Sequence, residues 1–439
     1  MDGLTLSLVC FAGMLFLIAI RTPIGVALGV VSFLGFWELK SFNVAIGQMR
    51  EVPYYFAANW DLSAIPMFLL MGSIVYVSGI ATSLFRAARL WLSALPGGLA
   101  VAANIASAGF AAGCGSSVAA AAAMGRLAIP EMLKAGYEKG LATGVVASAG
   151  TIAALIPPSI LMVLYGIFAE TSIVDLLIAG IIPGLLTAGV YTAMILIRCK
   201  INPELAPPIH DDKSAEEIRR ERWESLAEIW PLFILVFGII GGLYSGVVTP
   251  TEAGAAGSAL ALAIAVVQRR MTWAKLWEAV RDAILTTSQI FFVGMGALMF
   301  TRLLSFTGAS NMLAQLIAPL GLDPVLVILA ISVIYLILGM FLDPIGIMLI
   351  TMPVFIPLLN AMNMDLVWFG VLVVKFIEIG MLTPPLGFNV FVVKGVVGSE
   401  IPLVTIFRGV GWFLLCDLVV VILMVSFPQL SLFLPTLMN

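Results

Sequence analysis

Two short stretches carry the residues whose types and spacing suit ligand chemistry, and both occur twice. Gly113-Cys114-Gly115-Ser116-Ser117 is a Gly/Ser turn set inside an apolar run, and Ile156-Pro157-Pro158-Ser159 interrupts the next such run. Later, Gly339-Met340-Phe341-Leu342-Asp343-Pro344 is the turn, Thr383-Pro384-Pro385 is the interruption, and Asn389 follows shortly after. Each break frees backbone N–H and C=O groups inside an apolar stretch. At membrane depth such groups survive only where protein buries them or where they line a polar cavity. Half-helix N-termini then offer partial positive charge to an anion, and unwound carbonyls and hydroxyls coordinate a hard cation such as Na⁺. Ser116 and Ser117 add hydroxyls at the first tip, unless those bond back to their own helix. Asp343 stands at the second tip, where an acid is expensive unless it is paired or functional. Thr383 offers a hydroxyl or a carbonyl, and Asn389 a donor and an acceptor, to the same cavity.

Other polar residues have blander explanations. Lys375 and Glu378 are spaced to satisfy each other on one helix face, or to serve the cavity. Glu252, in Thr249-Pro250-Thr251-Glu252, reads as a capping residue. Arg126 reads as a side chain snorkelling toward the cytoplasm, with attraction of an anionic substrate as the alternative. Cys10, Cys114, Cys199 and Cys416 show no CxxC or Cys/His spacing, so neither a disulfide framework nor a metal site follows. The only histidine, His210, lies in a polar connector. A serine protease would need a histidine at membrane depth, so hydrolysis at the Gly/Ser tip is excluded and no enzyme activity is expected.

The elements that must position these residues are membrane helices. The 439-residue chain is 61% hydrophobic and only 11% charged, with a mean hydropathy of +1.11, against about 45–50% apolar and about 25% charged in soluble domains. Its net charge of −3, without a basic block, excludes nucleic acid as a partner. The landmarks recur at one offset: 384 − 157 = 227, 343 − 116 = 227, 357 − 130 = 227 and 250 − 23 = 227 for the prolines and tips. Four matches in matching contexts indicate an internal duplication. Residues 1–200 form the first repeat, 201–226 a cytoplasmic connector and 227–439 the second repeat.

In chain order, spans are expected at Leu4 to Ile20, Ile24 to Leu39 and Leu62 to Gly79. Interfacial amphipathic pieces are expected at Val44 to Asn59 and Ala81 to Leu95. Leu99 to Gly113 and Val118 to Ile129 are each too short for a ~30 Å hydrocarbon core. With the Gly/Ser tip between them they describe a re-entrant hairpin over about 97–133. A broken helix follows at about 140–169, and then a span from Ile178 to Ile197. In the second half, spans are expected at Ile229 to Leu243, Gly254 to Val267 and Ile284 to Phe300, with a separate interfacial piece around Trp273 and Trp277. A second hairpin runs over about 325–359 and a second broken helix over about 367–397. Ile406 to Phe427 closes the chain. Each repeat makes an odd number of crossings, so the two are oppositely inserted. Most Lys and Arg, from Arg21 through Arg86, Lys134 and Arg198 to Arg270, fall on one face, while Lys40, Arg50 and Arg302 fall on the other. By the positive-inside bias the crowded face is cytoplasmic. The start of the chain has no Lys/Arg-rich signal-peptide region, so the first span is retained and both termini are periplasmic. The first hairpin then opens to the cytoplasm and the second to the outside, with their tips meeting near the midplane. This is an all-α polytopic membrane protein of inverted repeats, the architecture of secondary transporters.

At these motifs the chain resembles the large membrane subunit of a tripartite ATP-independent periplasmic (TRAP) transporter, within the ion-transporter superfamily. The resemblance is carried by Gly113 to Ala119 (GCGSSVA), Ile156-Pro157-Pro158-Ser159, Tyr244 to Ala253 (YSGVVTPTEA) and Glu378 to Asn389 (EIGMLTPPLGFN), and it runs essentially end to end. It implies an elevator transporter in the bacterial inner membrane that imports an organic acid, a carboxylate, driven by Na⁺. It also implies a small four-helix membrane subunit on a separate polypeptide, a periplasmic substrate-binding protein, and contact with membrane lipid. Sodium is expected near Gly113, Ser116 and Ile156 and near Gly339, Asp343 and Thr383. Substrate is expected at Ser116, Ser117, Thr383 and Asn389. A stand-alone sodium-coupled dicarboxylate carrier of the same superfamily is the alternative.

Overall fold

The computed structural model describes residues 3–208, 214–309 and 323–438, and among them all regular structure is helical. His210 and the charged residues at 211–213 lie outside the described residues. The first helices are α1 (Gly3–Ala19), α2 (Ile24–Leu39), α3 (Phe42–Ala57), α4 (Ala64–Val77) and α5 (Ile80–Leu92). The first tip and break follow in α6 (Gly98–Cys114), α7 (Ser117–Lys134), α8 (Lys139–Gly150) and α9 (Ile160–Phe168), and then come α10 (Ile173–Ala179) and α11 (Ile181–Ile201). After the connector helix α12 (Ala215–Glu228) come α13 (Trp230–Tyr244), α14 (Pro250–Val267) and α15 (Trp273–Thr307). The second tip and break lie in α16 (Pro324–Gly339), α17 (Pro344–Ala361), α18 (Leu366–Gly380) and α19 (Phe388–Val397), followed by α20 (Leu403–Ser426) and α21 (Gln429–Thr436).

Among the described residues six helical stretches are long and apolar enough to cross a membrane, and the bent pair α3–α4, with a 59° turn between its halves, makes a seventh. α6 and α16, the arms leading to the two tips, fall below that length, as their apolar runs require. The helix bounds repeat at the offset of the sequence landmarks: 344 − 117 = 227 for α7 and α17, and 366 − 139 = 227 for α8 and α18. The packing repeats as well, since α2 lies on α15 as α14 lies on α4.

Local chemistry explains the boundaries. α14 starts at a capping box in which the Thr249 hydroxyl accepts from Glu252 N–H and the Glu252 carboxylate accepts from Thr249 N–H at 2.8 Å. Glu252 is therefore a cap, as its spacing indicates. α5 is amphipathic and carries Arg86 and Arg89, paired with Glu228 and Glu131 at 2.9 and 2.7 Å. These pairs are partly exposed and contribute little to stability.

Four features differ from the sequence reading. The interfacial piece at Trp273 and the following span are one 35-residue helix, α15, because no proline or capping residue interrupts the run between them. α7 continues through Pro130 to Lys134 rather than stopping at Ile129; the lost N–H leaves a single gap in the helical ladder, on an exposed face of the helix. The span expected from Gly254 begins instead at Pro250, where proline in the first turn needs no N–H partner. α10 and α21 are short helices without a counterpart in the hydropathy reading; α21 packs against α10 and α18.

Candidate functional site

At each tip one helix ends at or beside a glycine, Gly115 or Gly339, and a polar side chain caps the next. α6 ends at Gly115, whose left-handed backbone (φ 64°) suits glycine. Ser116 then caps α7, its hydroxyl accepting from Ala119 N–H at 3.4 Å. At the equivalent position Asp343 caps α17, with Oδ1 accepting from Gly346 N–H at 2.9 Å. Serine and aspartate are both preferred caps, so the duplicated tips use different side chains for one local task.

Both tips dock on the break of their own half. Ile160 N–H donates to the Gly115 carbonyl at 3.4 Å, and a Cβ on Gly115 would collide with the Pro158 carbonyl. Gly339 lies against Gly380, so that a Cβ on Gly339 would stand 2.6 Å from the Gly380 Cα. The two Pro-Pro bonds, Pro157-Pro158 and Pro384-Pro385, are cis. Ser159 caps α9 by accepting from Met162 N–H at 3.3 Å, and Gly387, left-handed at φ 59°, precedes α19.

A cavity of about 530 Å³ joins the tips. Ser116 and Ser117 of the first tip, Asp343 of the second and Glu378 of α18 all border it. α4 and α15 close the remaining wall with Ser73, Glu278, Asp282, Thr286 and Gln289. The Ser73 hydroxyl donates to Asp282 Oδ2 at 2.7 Å. Among the described residues four carboxylates and no Lys, Arg or His border this space, so it favours cations by charge. The α15 residues were not singled out from the sequence, although their helical spacing (278, 282, 286, 289) marks one polar stripe on an otherwise apolar helix.

The remaining candidates do not border the cavity. Gly113, Ile156 and Gly339 stand behind its wall, and Thr383 donates its hydroxyl to the Ile379 carbonyl at 2.7 Å. Asn389 is fully buried in the first turn of α19, and neither its amide nitrogen nor its oxygen has a hydrogen-bond partner. Arg126 donates to the Tyr76 hydroxyl at 3.0 Å, linking α7 to α4. Lys375 does not pair with Glu378. Its ammonium donates to Asp417 Oδ1 of α20 at 2.6 Å and to the Thr187 hydroxyl at 3.3 Å, and the Tyr191 hydroxyl donates to the same Asp417 oxygen at 2.6 Å.

The residues present fit a monovalent hard cation at each tip. Gly113 lies in the last turn of α6 and Gly339 ends α16, where carbonyls lack helical partners. Ile156 precedes two residues without N–H groups, and Asp343 supplies a carboxylate. Among the described residues no cluster of three His, Cys, Asp or Glu is suited to a transition metal.

Broken helices, capped hairpin tips and a cavity bordered by four carboxylates are the features of secondary membrane transporters. The chain matches the model of the family "Tripartite ATP-independent periplasmic transporter, DctM component" over residues 11–430. It belongs to that family and is a TRAP transporter large membrane subunit. It is 35% identical over 380 residues to the C4-dicarboxylate TRAP transporter large permease DctM of Pseudomonas aeruginosa, covering 86% of each chain. It is 33% identical to the sialic acid TRAP transporter large permease SiaM of Vibrio cholerae, covering 97% of this chain and 96% of that one. It is also 33% identical to the ectoine/5-hydroxyectoine large permease UehC of Ruegeria pomeroyi, covering 97% of each. Among solved structures the YdaH transporter of Alcanivorax borkumensis shares the fold, with a TM-score of 0.62 at 17% identity over 88% of this chain and 89% of that one. MtrF of Neisseria gonorrhoeae does so with a TM-score of 0.59 at 14% identity over 86% and 84%.

Proposed function

We propose that this subunit imports an organic carboxylate across the bacterial inner membrane, coupled to a sodium gradient, by an elevator movement of the tips and breaks against the remaining helices. The observation that carries this is the cavity bordered by both tips, with four carboxylates and, among the described residues, no basic side chain around it. An anion entering that space needs cations beside it, and the carbonyls of Gly113, Ile156 and Gly339 with Ser116, Asp343 and Thr383 are the proposed oxygen donors. Ser116, Ser117, Thr383 and Asn389 are the proposed substrate contacts; the two unpartnered polar atoms of Asn389 support its place among them. The repeated bounds and exchanged packing of the two halves support a duplication of residues 1–200 and 227–439 about the 201–226 connector; opposite insertion, with both termini periplasmic, rests on the distribution of Lys and Arg.

The partners proposed are a small four-helix membrane subunit and a periplasmic binding protein that delivers substrate. The relatives include a C4-dicarboxylate permease and a sialic acid permease, which supports an organic acid as the cargo. The test is uptake in proteoliposomes holding this chain and its small subunit, with sodium or potassium outside and with or without the binding protein. Uptake is expected only with sodium and the binding protein together. Sodium-driven uptake by this chain alone would instead establish a stand-alone dicarboxylate carrier.

A further inference from the structure

Glu378 is the buried charge that the transport function above does not use. It sits on α18 with no solvent exposure, and neither carboxylate oxygen has a hydrogen-bond partner, although the residue borders the cavity between the tips. The Ser117 hydroxyl is the one uncharged side-chain group that bears on it. The one cation within reach, Lys375 on the preceding turn, is held by Asp417 at 2.6 Å. That pair is neutral as a whole, so Glu378 has no counter-charge of its own.

The other helices against α18 supply none either. Their titratable groups are Tyr335 of α16, Tyr165 of α9, Asp175 of α10 and Arg408, Cys416 and Asp417 of α20; of these Asp417, with Lys375, bears on Glu378. The cavity adds Glu278, Asp282 and Asp343, all acidic. A buried carboxylate without a partner takes up a cation or becomes neutral. Sodium needs several oxygen ligands, and one serine hydroxyl is what faces Glu378; a proton needs only the carboxyl itself.

We propose that Glu378 is a proton-binding site loaded and unloaded during the transport cycle, beside the sodium sites of the tips. This rests on the transport function proposed above, but the groups that face Glu378 (Ser117, Lys375 and Asp417) are outside the proposed sodium ligands. The proton moves between cavity water and a Glu378 Oε, so the carboxyl crosses the dry part of the cycle as a neutral acid.

Two measurements on the full-length chain with its small subunit test this. Infrared spectra of the purified protein at neutral pH are expected to show a protonated-carboxyl C=O stretch that disappears in Glu378→Gln. Sodium-driven uptake, normalised to each protein's maximum, is expected to fall by about tenfold per pH unit on the alkaline side in the wild type, and that limb is expected to be lost in the variant. An absent acid band, or a variant profile that follows the wild type, overturns the proposal. So does a variant that assembles as Asp but not as Gln, because a neutral acid tolerates its isosteric amide and an anion does not. If neither variant assembles, infrared titration of the wild-type protein alone decides. Replacing sodium by potassium at fixed pH separates the two ideas. Uptake indifferent to sodium, with the acid band and pH limb intact, defeats sodium coupling and leaves the proton site standing; the converse defeats the proton site alone.

Discussion

Ser116 and Asp343 perform the same capping task from equivalent positions, so substitutions there separate local structure from charge. Asn caps as well as Asp, so Asp343→Asn keeps the α17 start while removing a full charge from the cavity wall. Ser116→Ala loses a cap, at about 0.5–2 kcal/mol, and at most one oxygen donor. We expect Asp343→Asn to raise the sodium concentration needed for half-maximal uptake more than Ser116→Ala does, with melting temperature as the control for stability. The opposite order would make Asp343 a cap and nothing more. At Lys375 and Asp417 the stakes are structural, because both side chains are 1% exposed. Removing either partner leaves the other charge buried alone, at about 3–5 kcal/mol. Lys375→Met and Asp417→Leu should each lower the thermal stability of the purified protein, and the double variant should recover much of the loss. Equal, additive losses would show that the two residues act independently.

At the scale of elements, tip and break form one unit. Gly115 has the left-handed backbone and the close approach to the Pro158 carbonyl that a side chain would spoil. Gly136 is also left-handed (φ 79°), but a Cβ there would meet only Pro207 Cγ at 3.6 Å. Both alanine substitutions carry the intrinsic strain of about 1–2 kcal/mol; only Gly115→Ala also displaces the tip from the break. Uptake per folded molecule is therefore expected to fall steeply in Gly115→Ala and little in Gly136→Ala. Similar losses in both would mean that backbone strain, and not docking, is what matters. The duplicated breaks, the short arms and the Glu252 cap were legible in the sequence because each depends on neighbours within a few positions. The continuity of α15 was less so, since aromatic and charged residues at Trp273 to Arg281 resemble an interfacial helix until the rest of the run is seen to pack on α2 and α4.

At the scale of the molecule, the fold leaves extensive apolar surface for lipid and partners: Phe16, Phe237 and Ile197 are 65%, 70% and 60% exposed. The proposed sodium coupling has a definite energetic reach. Each cation moved down 100 mV supplies about 2.3 kcal/mol, so two support roughly 10³-fold accumulation of a neutral cargo. The charge of the substrate reduces that figure. Steady-state accumulation in proteoliposomes at a set membrane potential and sodium gradient should therefore fall when an ionophore removes either one and collapse when both are removed. Accumulation that survives without both gradients would require a different energy source.

What the sequence determined by itself was local or periodic: a membrane protein by composition, a duplication by a constant offset, and breaks where Gly, Ser and Pro remove helical hydrogen bonds. Those signals lie within a turn or two of the residues they govern, and hydropathy and capping chemistry do not depend on who the distant neighbours are. The tertiary structure decided which charges meet. Lys375 passes over Glu378, on its own helix face, for Asp417, 42 positions away, and Ser73 meets Asp282 across 209 positions. Nothing in the spacing of those residues records the choice, because it follows from which helices come into contact when the two halves close. That closure brings α4 and α15 to the cavity and leaves Glu378 between the tips without a partner.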